Sequence, residues 1–470
     1  MSRFGIQVLK GFVGNILTAV IGFVGSIVFA RVLGPTGYGA FYVISAVVKL
    51  ADNPVKGFST AGKKRLSESD ARESEIAGGA LLVGALVTLV LCPLVLLFGI
   101  PFVDVEGERN FFVILFIGML FFKLLQPLIA GSGKFGAPTL LDSGRSFFTI
   151  TFQLTLVLLG WGVGGMVVGL ALGSAVMLPF SFRVLGIQPA WPSLDVVRNM
   201  WEYARWSMPK SVVGSAISRM DVVLLSTVLT TGAAGQYRVA MNVLIPATFV
   251  SGVIGSGVFI ETSETVSQDE SPRERIELGI GFTSILAIPI FFGALAMPAD
   301  IVTTIYGNQY KVAGTLLIGL AAYKFFETQS DQLLSAISGF DRPDLRFYIS
   351  LGVLVTNVTL GIILLSEIGI LGIVVATLIT GALRWLVSLY LTRQLIDFDI
   401  LPDPLRKQFA AGLIMLAVVL PLHRTVGVAW WGELLALVSV GAIVYGVVLL
   451  IISSHLRVAL RSLADQTFAG

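Results

Sequence analysis

Runs of about twenty apolar residues, each enough for a helix to cross the hydrocarbon core of a bilayer, recur about fourteen times along this 470-residue chain. No other feature narrows the fold so far. In lipid every backbone amide must find its partner inside the protein, so only helices and closed barrels can span. These runs are continuous rather than alternating, which argues against a barrel. Composition agrees: 55% hydrophobic and 13% charged residues, with a mean hydropathy of +0.87, do not describe a soluble globular domain. The expectation is an all-α polytopic membrane protein. Its spans fall near 10–33, 37–58, 76–100, 110–131, 142–160, 162–184, 206–229, 234–257, 277–297, 313–337, 346–366, 369–392, 408–423 and 430–453. The first run is too long for the core of a cleaved signal peptide and reads as a helix that stays.

Orientation follows from the basic residues outside the spans. With the N-terminus inside, twenty of the 32 Lys and Arg fall in the termini and even-numbered loops, and only Arg31, Arg109, Lys311 and Arg424 fall outside. This predicts a multi-pass protein of the cell membrane with both termini cytoplasmic. An internal repeat runs at an offset of 196: the segment from Arg31 aligns with that from Thr227, placing Gly39 on Gly235 and Phe41 on Tyr237. Pro93 of the third span falls on Pro289 of the ninth at the same offset. Six spans separate the copies, so both insert in the same direction, which suits a transporter with two parallel-repeat lobes around a central cavity. The expected domains are an N-terminal lobe of helices 1–6 over 1–185, a cytoplasmic linker over 186–205 and a C-terminal lobe of helices 7–12 over 206–395. Two additional helices and a cytoplasmic tail follow over 396–470.

The charges inside the spans are uneven. Eight are basic (Lys49, Lys56, Lys123, Lys210, Arg219, Arg238, Lys324 and Arg384) and four acidic (Asp52, Asp221, Glu327 and Asp331). A charge at membrane depth is costly unless it meets a partner or a watery cavity, so the excess predicts a wet path that prefers an anion. Lys49, Asp52 and Lys56 stand at i, i+3 and i+7, one helical stripe. Lys324, Glu327 and Asp331 repeat that spacing. Pro54, beside Asn53, predicts a bend in the second span. On one straight seventh span, Lys210 and Asp221 share a face and Arg219 points nearly the other way, toward a different interface. Phosphate calls for several convergent donors, for which Arg and Lys are suited. The candidate substrate-binding residues are therefore Lys49, Asp52, Lys56, Lys123, Arg219, Asp221, Arg238, Lys324 and Arg31. Carboxylates in a span can also take Na+ or a proton, making Glu327 and Asp331 candidates for ion coupling. Simpler readings stand beside these: Lys49–Asp52 and Lys324–Glu327 can merely neutralise each other, and Arg31, Lys56 and Arg238, near span ends, can snorkel to the interface.

Several chemistries are disfavoured. Cys92 is the single cysteine, and His423 and His455 lie far apart in sequence, so neither a metal site nor a bound cofactor is expected. No glycine-rich nucleotide loop ending in Lys-Ser/Thr occurs. The mixed-charge stretch from Lys63 to Glu75 reads as a solvated segment near headgroups, not a nucleic-acid surface. Gly34, Pro35, Gly37 and Gly39 are expected to build a tight turn between the first two spans. Gly160, Gly162, Gly164, Gly165 and Gly169 are expected to let helices pack closely.

The segment Ala30-Arg-Val-Leu-Gly-Pro-Thr-Gly-Tyr-Gly-Ala-Phe41, with Met208-Pro-Lys, Ser218-Arg-Met-Asp221 and Gly235-Gln-Tyr237, resembles the polysaccharide transporter family of the multidrug/oligosaccharidyl-lipid/polysaccharide exporter superfamily. The resemblance covers most of the first twelve spans. It implies a flippase, not an enzyme, that moves an oligosaccharide on a polyprenyl phosphate or diphosphate carrier from the cytoplasmic to the outer leaflet. Membrane lipids, a polysaccharide polymerase or glycosyltransferases would be its partners, and its two lobes would rock to give alternating access. A drug or metabolite antiporter of the same superfamily is the alternative, although one for organic cations should carry excess acid. A membrane-bound polymerase or glycosyltransferase is a further one, but connections of about twenty residues leave no room for a catalytic domain.

Overall fold

A computed structural model describes residues 3–68, 71–100, 106–268, 270–454 and 456–457, with side chains from residue 21 onward. His455, Ser69 and Asp70 of the charged stretch, and the expected tail beyond residue 457 lie outside the described residues. The described chain is all-helical, without a strand. It divides into two compact units, Met1–Gly235 and Gln236–Gly470.

The first unit holds α1 (Arg3–Ala51), α2 (Asn53–Leu66), α3 (Glu73–Phe98), α4 (Glu108–Gly131), α5 (Ala137–Leu156), α6 (Gly162–Leu185), α7 (Leu194–Ile217), α8 (Met220–Val228) and the start of α9 (Thr231–Val243). Its core is strung along α4, where Phe112, Leu115, Phe116, Phe122, Leu124 and Leu125 are fully buried. By contrast α3 leaves Leu89, Leu97 and Phe98 exposed, an apolar surface suited to lipid.

The glycines divide their work differently from expectation. Only Gly34 leaves helical geometry between the first two spans (φ 66°); Pro35 opens the next helical turn, and Gly37 and Gly39 lie within the helix. Gly165 and Gly169 do bring α6 against α5: a Cβ on Gly169 would stand 2.6 Å from the Gln153 amide nitrogen. Gly160 and Gly162 do not. They sit at φ 88° and 54° with nothing within 4 Å, making the turn between those helices, a backbone region that glycine enters without steric cost. Gly164 meets only the Phe111 ring.

The second unit continues through α10 (Phe249–Ser267), α11 (Arg273–Thr283), α12 (Ala287–Ala296), α13 (Pro298–Tyr306), α14 (Lys311–Gly339), α15 (Pro343–Ile368), α16 (Ile370–Leu395), α17 (Asp403–Val426) and α18 (Trp431–Ile452). The expected ninth span is broken between α11 and α12, which frees carbonyls at membrane depth. Side chains from three other helices cap them. Gln329 of α14 donates to the Ile280 carbonyl at 3.1 Å, Gln408 of α17 to Gly281 at 2.6 Å and Tyr445 of α18 to Ile285 at 3.1 Å. The last two helices also bury Met415, Val419, Leu437 and Leu449 in one cluster with Ile288 and Phe292 of α12.

Among the described residues, ten helical segments are long and apolar enough to cross a membrane, or eleven counting α7 with α8. The fourteen runs map onto fewer segments for local reasons. One 49-residue stretch, Ala137–Leu185, contains both the fifth and sixth runs, joined at the Gly160–Gly162 turn. The first two meet at the Gly34 kink inside α1. The tenth run lies in α14, whose Lys324, Glu327 and Asp331 make it too polar to qualify by composition.

Candidate functional site

The site in the first unit is organised by a helix break. Pro54 lies in the first turn of α2 and has no N–H to offer the carbonyl four residues earlier, that of Leu50. The buried side chain of Asn53 takes over: its Nδ2 donates to the Leu50 carbonyl at 3.0 Å and to that of Lys49 at 3.3 Å. Its Oδ1 accepts from Ser211 Oγ at 3.0 Å and Ser215 Oγ at 2.8 Å. The break between α1 and α2 is thereby tied to α7. Close approach at Gly57, whose added Cβ would fall 3.0 Å from Met208 Cα, completes that seam. Ser207 Oγ donates to the Gly57 carbonyl at 3.1 Å.

Asp52 occupies the break itself, within electrostatic reach of Lys56, Arg219, Lys49 and Lys123. Five of the expected residues therefore converge from the α1–α2 junction, α4 and the α7–α8 junction. Arg219 joins them although its expected direction was away from the Lys210–Asp221 face. The reason is a 56° bend between α7 and α8, which invalidates a helical wheel drawn through one straight span. Arg219 caps the end of α7, its Nη1 donating to the Ser215 carbonyl at 3.3 Å. Lys210 is exposed on α7, and Asp221 is half-buried in the first turn of α8. Arg31 is exposed ahead of the Gly34 turn, about 27 Å from Lys49 along the helix at 1.5 Å per residue.

Two members escaped the sequence reading. Asp142 Oδ1 accepts from Lys123 Nζ at 2.8 Å and from Arg145 Nε at 2.9 Å, and both cations lie 5.7 Å from the centroid of the Phe122 ring. The expected fifth span began at 142, putting these residues at its edge; α5 begins at Ala137, so they sit a turn inside. Their i, i+3 spacing, the same as that of Lys49 and Asp52, was the available signal.

In the second unit, Lys324 Nζ contacts Glu327 at 2.5 Å, and the Tyr323 hydroxyl donates to Glu327 at 3.0 Å. Asp331 instead reaches another helix, accepting from Arg384 Nη2 of α16 at 2.7 Å. Arg346 of α15 lies within electrostatic reach of both, a member of the group that sequence spacing did not indicate. Arg238 is half-buried in α9. His423 pairs with Asp300 at 2.8 Å. No cluster of three or more His, Cys, Asp or Glu suited to a metal occurs among the described residues.

Cations drawn from separate helices onto one helix break are an arrangement suited to a membrane transporter. The chain belongs to the polysaccharide biosynthesis protein family, whose model matches residues 28–314. Two Haloferax volcanii proteins are similar along nearly their whole length. Probable flippase AglR is 25% identical over 99% of this chain and 98% of its own. Probable low-salt glycan biosynthesis flippase Agl15 is 25% identical over 97% of each. The lipid II flippase MurJ, in an inward closed conformation, shares the fold with a TM-score of 0.81 and 17% identity, covering 94% of this chain and 98% of that one.

Proposed function

We propose that this protein flips an oligosaccharide linked to a polyprenyl phosphate or diphosphate from the cytoplasmic to the outer leaflet, by alternating access along a cationic path. The observation that carries the reading is the gathering of Lys49, Lys56, Lys123 and Arg219 around Asp52. A bare diphosphate cannot cross hydrocarbon; its charge must be met throughout the passage. Convergent Lys and Arg side chains meet it, with Arg supplying paired donors and Lys mobile point charges. The polyprenyl tail stays in lipid. Within this proposal the chain has fourteen spans, with two six-span lobes, a linker over 186–205, two terminal helices and both ends in the cytoplasm. Arg31, Asp221, Arg238 and Lys324 contribute further contacts along the path, and a polymerase or glycosyltransferase hands over or receives the lipid. Glu327 and Asp331 couple the cycle to an ion gradient, since a proton taken up by either would loosen its hold on Lys324 or Arg384.

The test is transport of a labelled polyprenyl-diphosphate oligosaccharide in proteoliposomes, comparing the wild type with Lys49→Ala/Arg219→Ala. Flipping by the wild type, lost in a variant that remains folded, is the expected result. A wild type that moves none of several glycans would overturn the proposal in favour of an antiporter. Flipping that survives both substitutions would keep the function and reject the site.

A further inference from the structure

The triad on α4 and α5 has a feature that charge neutralisation alone does not require. Asp142 receives both cations on one oxygen, Oδ1, from Lys123 at 2.8 Å and Arg145 at 2.9 Å. The Asp142 side chain is 43% exposed and that of Lys123 38%, whereas that of Arg145 is only 12%. The Phe122 ring lies beside both cations, its centroid equally distant at 5.7 Å. The Phe122 ring thus flanks both cations, while Asp142 and Lys123 form the open side of the triad.

We infer that Asp142 is an exchangeable stand-in for the substrate's phosphate, holding Lys123 and Arg145 in a phosphate-ready arrangement and giving them up when a diphosphate arrives. This deepens the flippase reading and rests on it for the identity of the physiological ligand. A carrier must release what it binds, and cations competent to hold a diphosphate with charge-assisted bonds would hold it too long without a competitor. An intramolecular carboxylate lowers the apparent affinity by the free energy needed to displace it. It also keeps the two cations from being left unpaired at membrane depth between cycles. No covalent step is involved: one anion replaces another on the same two donors. Asp142 is accordingly a positioning residue, and Arg145 joins Lys123 as a direct contact for the phosphate.

The experiment measures binding of inorganic diphosphate to the full-length protein in nanodiscs by calorimetry, for wild type, Asp142→Asn, Asp142→Glu and Arg145→Ala. Asp142→Asn keeps the shape of the side chain and removes the competing charge. It should tighten diphosphate binding about tenfold, the scale of one charge-assisted contact, whereas Asp142→Glu should stay near wild type and Arg145→Ala should weaken. In proteoliposomes Asp142→Asn should lower the half-saturating concentration and the maximal rate together, because release becomes slower. Equal or weaker diphosphate binding by folded Asp142→Asn would overturn the inference. Should Asp142→Asn fail to fold, a half-saturating concentration in Asp142→Ser equal to or above that of wild type would do the same. Tighter binding by Asp142→Asn in a protein that flips no lipid-linked glycan would uphold the exchange and overturn only the flippase reading.

Discussion

Gly39 and Gly235, equivalent positions of the internal repeat, lie against each other. A Cβ on Gly39 would stand 2.7 Å from the amide nitrogen of Gly235, and one on Gly235 would stand 3.1 Å from that of Gly39. Each added carbon would also meet a carbonyl oxygen, that of Thr231 and that of Pro35 respectively. The segments match in sequence because each needs the same absent side chain. Gly39→Ala and Gly235→Ala should each destabilise the protein by about 1–3 kcal/mol, the usual cost of overpacking. Thermal unfolding in detergent reads this directly, and an unchanged midpoint for either would contradict the contact.

Asn53 satisfies the carbonyl that Pro54 leaves open and accepts from two serines of α7. Asn53→Leu strands those groups, with an expected loss of about 1–3 kcal/mol for each buried polar group left unpaired. Transport should fall with stability, since the same break carries Asp52 and Lys56. Pairing Asn53→Leu with Pro54→Ala returns an N–H to the Leu50 carbonyl and should recover part of the stability. No recovery would mean that the seam to α7, rather than the open carbonyl, matters.

Gln408 and Tyr445 hold the broken ninth span from the two C-terminal helices. Gln408→Leu and Tyr445→Phe should each raise amide exchange across residues 280–290 several-fold, while the α4 core of the first unit keeps its protection. Hydrogen exchange resolved by mass spectrometry checks this. Uniformly faster exchange in both units would point to global loosening instead.

The Asp331–Arg384 bridge joins α14 to α16. Removing one member leaves a charge without its partner at membrane depth, so Arg384→Leu or Asp331→Leu alone should cost more than both together. A double-mutant cycle on unfolding should give a coupling of about 0.6–1.7 kcal/mol, the range such cycles give for polar contacts between membrane helices. Additive losses would show that the two side chains do not depend on each other.

Ion coupling has its own readout. With Glu327→Gln and Asp331→Asn, initial flipping rates should no longer respond to an imposed proton or Na+ gradient, although flipping continues. A response equal to that of the wild type in both variants would remove these residues from the coupling.

Hydropathy alone determined that this chain is helical and lives in a bilayer, because moving some twenty apolar residues into hydrocarbon is a local, nearly additive preference that needs no knowledge of neighbours. Helical periodicity likewise put Lys49, Asp52 and Lys56 on one stripe, and the Pro54 break was legible for the same local reason. Direction beyond a break was not. A 56° turn between α7 and α8 reoriented Arg219, since a helical wheel holds only while the helix is straight. Nor could spacing show that Asp142 would clasp Lys123, 19 residues away, or that Gln408 would cap Gly281 across 127 residues. Those pairings were decided by which helices pack together. Once two helices touch in a medium without water, each buried polar group takes whatever partner the packing brings within reach.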